Sequence, residues 1–318
     1  MVEVVGRTYI GTGKGVNQDA YAGIAARASF GDAALAVVCD GVGGLSCGEV
    51  ASSAAVRELV RWFDAEFPAY AADNLFGGHV DLGGIEAAWT AILADLNRRM
   101  RAYGQRLNVR MGSTCTAILL CSGSFVVCHV GDCRAYRAGA AGVERLTRDQ
   151  TFIQREVDAG RISARDALTF PGGTVITQAV GAQETLAPIF SRGSYVPGDV
   201  LFVCCDGLYR RLGDDRVALG LAGARRSAGE DELLDALDSM VARAVDAGET
   251  DNVTGVIARV CGPGEGFLPL EPASAAALDD GLVARPATGF AVTAAPLPKA
   301  TFAADEEATD DLACSVVP

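Results

Sequence analysis

The stretch "VVCDGVGG", residues 37–44, decides how the chain folds. An apolar run stops at Asp40, and glycines follow it at once. Much later "LFVCCDG", residues 201–207, repeats the device and ends at Asp206. Asp-Gly alone is ordinary turn chemistry, because Asp bonds its own backbone and Gly accepts positive φ. The interest lies in how many such ends the chain holds. Asp132 follows "FVVCHVG", Asp251 precedes "NVTGVIARV", and Asp19 sits in "VNQDA" after the first apolar run.

Working outward, the apolar runs read as strands at about 2–10, 34–39, 114–121, 125–130, 133–138, 200–205 and 253–260. "SGS" joins 114–121 to 125–130 as a hairpin connection. Three helices are legible from three- and four-residue spacings. Their apolar stripes are Val56, Leu59, Val60, Phe63 and Phe67; Ile85, Trp89, Ile92, Leu93, Leu96, Met100 and Tyr103; and Leu233, Leu237, Met240, Val241 and Ala244. Strands and helices do not alternate, which speaks against a doubly wound parallel sheet. The strands are almost continuously apolar, so both sheet faces must be covered, by a second sheet and by helices.

The chain has 318 residues, of which 50% are hydrophobic. No apolar run approaches the roughly 20 residues that span a bilayer. No basic segment precedes an apolar one at the N-terminus, so no signal peptide is expected and a cytoplasmic location is the default. The net charge of −13 argues against nucleic acid. The ten cysteines form no CxxC pair, and Cys39, Cys121, Cys128, Cys204 and Cys205 read as small buried hydrophobes. A boundary falls at 261. Residues 262–318 hold nine acids and two bases among Ala, Pro and Thr, without apolar periodicity. They are read as a mostly disordered acidic tail behind a catalytic domain at 1–261.

Carboxylates at the ends of packed strands can converge on one edge of a sandwich. Together they repel, and burying them uncompensated is costly. A hard divalent cation such as Mg²⁺ or Mn²⁺ resolves this with carboxylate, carbonyl and water ligands. Gly41, lacking a side chain, could turn its carbonyl to a metal beside Asp40.

"VNQDAY", "VVCDGVGG", "MGSTCTAILL", "HVGDCRAYR", "LTRDQTF", "ITQAVG", "VLFVCCDGLY" and "TDNVTGVIA" occur in the order seen in metal-dependent protein Ser/Thr phosphatases of type 2C, the PPM family. The resemblance covers about 6–260. It implies an α+β fold: a four-layer αββα sandwich, with a central antiparallel β-sandwich flanked by helix pairs. It implies two core Mn²⁺ or Mg²⁺ ions and a third, weaker one. Asp40 resembles the aspartate bridging two metals, and Gly41 the residue offering its carbonyl to the second. Asp206 and Asp251 resemble the remaining ligands of the first metal, and Asp132 a ligand of the third, shared with Asp206. Lys14 falls where many members hold the substrate phosphate with an arginine. Gln18, Asp19 and Asn252 are expected to support the ligands from behind. Residues 153–175 match a variable flap. The implied reaction is hydrolysis of phosphoSer and phosphoThr proteins by a hydroxide bridging two metals, opposing a cognate Ser/Thr kinase.

The chain departs from the family pattern. Gln18 replaces a commoner Glu, Val42 stands where eukaryotic members carry a histidine, and Lys14 gives a point charge instead of a fork. These changes motivate a rival reading, a pseudophosphatase kept as a binding module. Other signals are set aside. "CHVGDCR", 128–134, satisfies the C-x5-R spacing of cysteine phosphatases. Cys128, however, lies in an apolar strand and not below an anion-binding loop. "GTGKG", 11–15, lacks the Ser or Thr and the helix that a nucleotide loop needs. His129 reads as a hydrogen-bonded core histidine, and His79 as a loop residue.

Overall fold

The structure, a computed structural model, describes residues 1–28, 31–42, 45, 47–167, 170, 175–262 and 283–286. The strands are β1 (Val2–Tyr9), β2 (Asp19–Ala28), β3 (Gly31–Asp40), β4 (Leu75–Phe76), β5 (His79–Val80), β6 (Cys115–Cys121), β7 (Ser124–Val130), β8 (Arg134–Gly139), β9 (Gly142–Arg145), β10 (Ile189–Ser194), β11 (Val200–Cys204), β12 (Val253–Val260) and β13 (Val283–Pro286). The helices are α1 (Gly48–Ala65), α2 (Phe67–Asp73), α3 (Leu82–Leu107), α4 (Phe152–Asp158), α5 (Ala164–Ala167), α6 (Asp206–Ala224) and α7 (Glu230–Asp246).

Two antiparallel sheets carry the fold. One has the order β1-β12-β11-β8-β9, the other β10-β7-β6-β3-β2-β13. Side-chain parity explains the continuous apolar runs. On β3, Ala33, Leu35, Val37 and Cys39 face a core shared with α1 and α3. Ala34, Ala36 and Val38 face the second sheet. On β11, Leu201 and Val203 look between the sheets, while Val200, Phe202 and Cys204 pack with α6 and α7. The layers are therefore helices, sheet, sheet, helices, as the resemblance implied. Trp62 of α1 meets Trp89 of α3 edge to face at 5.6 Å, tying the first helical layer together.

The elements differ from the sequence reading in several places. Phe67 does not extend the first helix: α1 ends at Ala65, and Phe67 with Pro68 opens α2. Pro fits a helix start, where its missing N–H costs nothing. Asp19 opens a strand, and Asp206 a helix, that the reading lacked. The proposed tail lies outside the described residues, except that Val283–Pro286 pairs antiparallel with Ile24–Arg27 and lengthens the second sheet at its edge. Four residues of that segment are thus a strand. Among the described residues no helix is long and apolar enough to cross a membrane.

Candidate metal centre

Register places the first two carboxylates. Asp19 at the start of β2 is the direct cross-strand partner of Asp40 at the end of β3. Asp19 shares parity with Tyr21, and Asp40 with Val38, so both point between the sheets. The backbone of Asp40 is pinned on both sides. Its N–H donates to Thr114 Oγ1 at 2.8 Å, and its carbonyl accepts from Thr114 N–H at 2.8 Å and Ser113 Oγ at 3.0 Å. Thr254 Oγ1 donates to Asp19 Oδ2 at 2.5 Å, linking the two sheets beneath the site.

Gly41 donates its N–H to the Gln18 carbonyl at 3.0 Å. A Cβ there would stand 2.5 Å from the Gly48 carbonyl carbon and 2.6 Å from its oxygen, so only glycine lets the start of α1 approach. Ser52 of α1 donates to the same Gln18 carbonyl at 2.6 Å. Asn252 staples the loop before β2 to the start of β12. Its Oδ1 accepts from Gln18 N–H at 2.9 Å, and its Nδ2 donates to the Ile10 carbonyl at 2.7 Å. Gln18 and Asn252 thus act through backbone placement here.

The "GTGKG" stretch is a turn, and no helix follows it. Gly11 has φ 79°, and a Cβ on it would meet the Asp251 carbonyl oxygen at 2.2 Å. That close approach delivers Lys14, whose Nζ lies 2.8 Å from Asp251 Oδ1. The residue expected on substrate phosphate therefore rests on a candidate ligand. Asp206, the first residue of α6, sits in the positive field of the helix N-terminus. One turn on, Arg210 pairs with Asp206 Oδ2, and its Nη1 lies 3.9 Å from Asp251 Oδ2.

Asp132 follows β7 and is buried. Tyr209 Oη donates to its carbonyl at 2.9 Å, and the Tyr209 ring carries the Arg134 guanidinium 3.6 Å from its centre. Arg134 in turn binds Asp149 at 2.7 Å and Asp214 at 2.9 Å. The sequence reading missed Arg210, Arg134, Tyr209 and Thr254. "DGLYR" carried one signal, an Asp and an Arg at i and i+4.

Electrostatics joins these groups. Burial raises the Asp40 carboxyl well above the usual range, and Asp19, Asp132 and Asp251 raise it further. Burial pushes Asp19 up to about 6, opposed by its hydrogen bond from Thr254. Asp132 rises to about 7, through burial and then Asp149, while Arg210 and Arg134 pull it down. Among the described residues, no three His, Cys, Asp or Glu side chains close around one point. Asp206 is held by Arg210 and Asp251 by Lys14. The donor set still fits a hard divalent ion: carboxylates that raise one another's pKa, gathered at one edge of the sandwich.

Residues 5–242 match the sequence model of the family Protein phosphatase 2C. The chain belongs to that family. It is similar to the serine/threonine protein phosphatase PstP of Mycobacterium tuberculosis, 29% identical over 231 residues. The match takes in 73% of this chain and 41% of that relative, so the chain spans less than half of its length. The crystal structure of Stp1 from Staphylococcus aureus superposes with a TM-score of 0.69 at 28% identity, covering 82% of this chain and 96% of that one. The catalytic domain of PstP in complex with two manganese ions superposes with a TM-score of 0.62 at 27% identity, covering 82% and 99%.

Cys128 is fully buried within β7, and burial holds its thiol well above its ordinary pKa. Arg134, the other end of the C-x5-R spacing, is committed to Asp149. Nothing there resembles a thiolate in an anion loop. His129 is a core residue: its Nε2 donates to the Arg148 carbonyl at 3.1 Å, and its Nδ1 accepts from Thr116 Oγ1 at 2.9 Å. The base of the expected flap is stitched by Phe152 N–H to the Val175 carbonyl and Thr177 N–H to the Gln150 carbonyl. Residues 168, 169 and 171–174 lie outside the described residues.

Proposed function

We propose that this 2C-type chain is a metal-dependent protein Ser/Thr phosphatase, acting on phosphoSer and phosphoThr proteins in the cytoplasm and opposing a Ser/Thr kinase. The observation that carries the reading is the inward-facing pair of Asp19 and Asp40 with Asp132 and Asp251 near enough to raise the Asp40 pKa. A binding module has no physical need for such mutual repulsion, and the family membership points the same way.

In this reading Asp40, Gly41, Asp206 and Asp251 hold two Mn²⁺ or Mg²⁺ ions. Bound ions supply Lewis-acid activation of a nucleophilic water and charge compensation for the phosphoryl oxygens. The protein's own share is placement. Thr114 and Ser113 fix the Asp40 backbone, Asn252 and Ser52 fix Gln18, and Gly41 brings α1 against the site. Asp19 stands behind Asp40, held by Thr254. Lys14 is the cation free to turn from Asp251 to a substrate phosphate, being about a third exposed. The unit responsible is 1–261, which holds every residue that the resemblance assigns to the metals.

The test is hydrolysis of p-nitrophenyl phosphate by the purified full chain with added Mn²⁺. Stimulation by Mn²⁺ and loss of turnover in Asp40→Asn, with an unchanged circular dichroism spectrum, are expected. Full activity in excess EDTA would overturn the metal reading. No hydrolysis at saturating Mn²⁺, with Mn²⁺ still bound, would favour the pseudophosphatase, which the ion pairs on Asp206 and Asp251 keep in view.

A further inference from the structure

α7 ends in a Schellman motif. Gly248, at φ 88°, donates its N–H to the Val245 carbonyl at 2.9 Å, and Glu249 N–H donates to the Ala244 carbonyl at 3.1 Å. The residue after the glycine in this motif often carries an apolar side chain that packs back on the helix. Here that residue is Glu249, only 3% exposed. A carboxylate buried there is costly unless its oxygens find partners. Glu249 Oε1 accepts from Thr250 N–H at 2.9 Å and from Asp251 N–H at 3.0 Å. Arg211 of α6 brings its Nε to 3.5 Å from Oε2. One oxygen thus fixes two consecutive peptide units, and the second of them carries a candidate ligand. The Asp251 side chain folds back to accept from Asn252 N–H at 2.8 Å through Oδ1. The Thr250 carbonyl accepts from Gly13 N–H at 2.9 Å, so the turn that presents Lys14 leans on the same loop.

We propose that Glu249 is the positioning residue for Asp251: its buried carboxylate orders the loop 249–252 and holds the Asp251 carboxylate in place for a core ion, with the Lys14 turn docked beside it. The proposal rests on the reading that Asp251 is a ligand of a core ion. Glu249 touches neither ion nor substrate in this role. It acts through the backbone of Asp251, and what it supplies is a hydrogen-bond acceptor at a fixed reach.

The experiment measures Mn²⁺ affinity of the full-length chain, from the paramagnetic resonance of the free ion across a titration. Glu249→Leu removes the acceptor but gives the helix end its usual apolar residue. It should bind Mn²⁺ about ten- to a hundredfold more weakly than wild type, the usual effect of losing a partner that orients a ligand. Glu249→Gln keeps an oxygen at the same reach and should stay within about threefold of wild type. Glu249→Asp keeps the charge but draws the oxygen back by one methylene, and should weaken binding as the leucine does. Thermal melting of each metal-free protein checks that it folds, and the Gln and Asp variants decide the matter even if the leucine variant does not. Equal affinity in wild type and Glu249→Asp, or a glutamine variant as weak as the aspartate one, would overturn the proposal and leave the core metal reading standing. No Mn²⁺ bound by wild type would overturn both.

Discussion

Asp19 and Asp40 face each other directly across β2 and β3, on the side of the sheet that looks into the sandwich. A one-residue slip of either strand would turn its carboxylate into the helical layer. The apolar alternation of β3 forbids that slip, because Leu35, Val37 and Cys39 would exchange places with Ala34, Ala36 and Val38. The packing of the core therefore sets the position of the charged site.

Gly41→Ala should destabilise the protein and slow it. The added methyl meets backbone atoms of Gly48 at 2.5–2.7 Å, and backbone cannot swing aside as a side-chain end can. Overpacking of this kind costs about 1–3 kcal/mol. The start of α1 must shift, and the Gln18 carbonyl held by Ser52 shifts with it. Urea unfolding and Mn²⁺-saturated kcat check this. Wild-type values for both would show that α1 yields without consequence.

Arg134→Met should cost about 3–5 kcal/mol of stability, because it leaves the carboxylate of Asp149, 10% exposed, with only the distant Arg145, whose Nη1 lies 4.0 Å away. The Tyr209 ring would also lose the cation lying on it. Changing both partners, Arg134→Met with Asp149→Leu, should recover a large part of the loss. Denaturant unfolding of the four proteins measures this, and additive losses would show that the pair is not coupled.

Much of this architecture was legible in the sequence. β3, β6, β7, β11 and β12 announce themselves as apolar runs, and α1, α3 and α7 as apolar stripes. β2 does not, because "DAYAGIAARA" is alanine-rich, with Tyr21 and Ile24 its only strong strand formers. Tertiary packing chooses strand there. α6 is hidden differently: Gly213, at φ 72° and ψ 161°, breaks it, and no continuous stripe crosses the kink. The strand-end aspartates could be read because each borders an apolar run. Arg210 could not, since its importance comes from α6 starting at Asp206, which the pattern did not reveal. Asp149 and Thr254 matter through contacts far along the chain, to Arg134 and Asp19, which no local spacing encodes.

His129 should make the metal-free protein less stable at mildly acid pH. Burial lowers its pKa from 6.5 to about 4. Between those values the unfolded chain binds a proton that the folded chain refuses, so stability falls as pH drops from 6.5 towards 4. At pH 5 the loss from this group amounts to about 2 kcal/mol. Carboxylates with raised pKa values, Asp19 and Asp132, act with the opposite sign over the same range. A comparison with His129→Gln isolates the histidine. The stability difference between pH 7.5 and pH 5 should shift by about 2 kcal/mol in the variant, in favour of pH 5. An identical pH profile in both proteins would mean that His129 is protonated in the fold.

Lys14 should serve substrate and compete with metal. Its Nζ lies 2.8 Å from Asp251 Oδ1, and both side chains are about a third exposed. An exposed pair of this kind is worth about 0.2–1 kcal/mol, so its removal should be felt weakly at Asp251. Lys14→Ala should therefore tighten Mn²⁺ binding by at most about fivefold. The substrate side should be larger. A charge-assisted hydrogen bond to phosphate contributes about 1.5–3 kcal/mol, so kcat/KM should fall by about ten- to a hundredfold. If Lys14 contacts the phosphate equally in ground and transition states, the loss appears in KM; if the contact tightens as charge develops, kcat falls as well. Lys14→Arg should retain activity, because the guanidinium fork matches two phosphate oxygens. Steady-state kinetics at saturating Mn²⁺ and a Mn²⁺ titration of the three proteins separate the two roles. Unchanged kcat and KM in Lys14→Ala would leave the lysine as a partner of Asp251 alone.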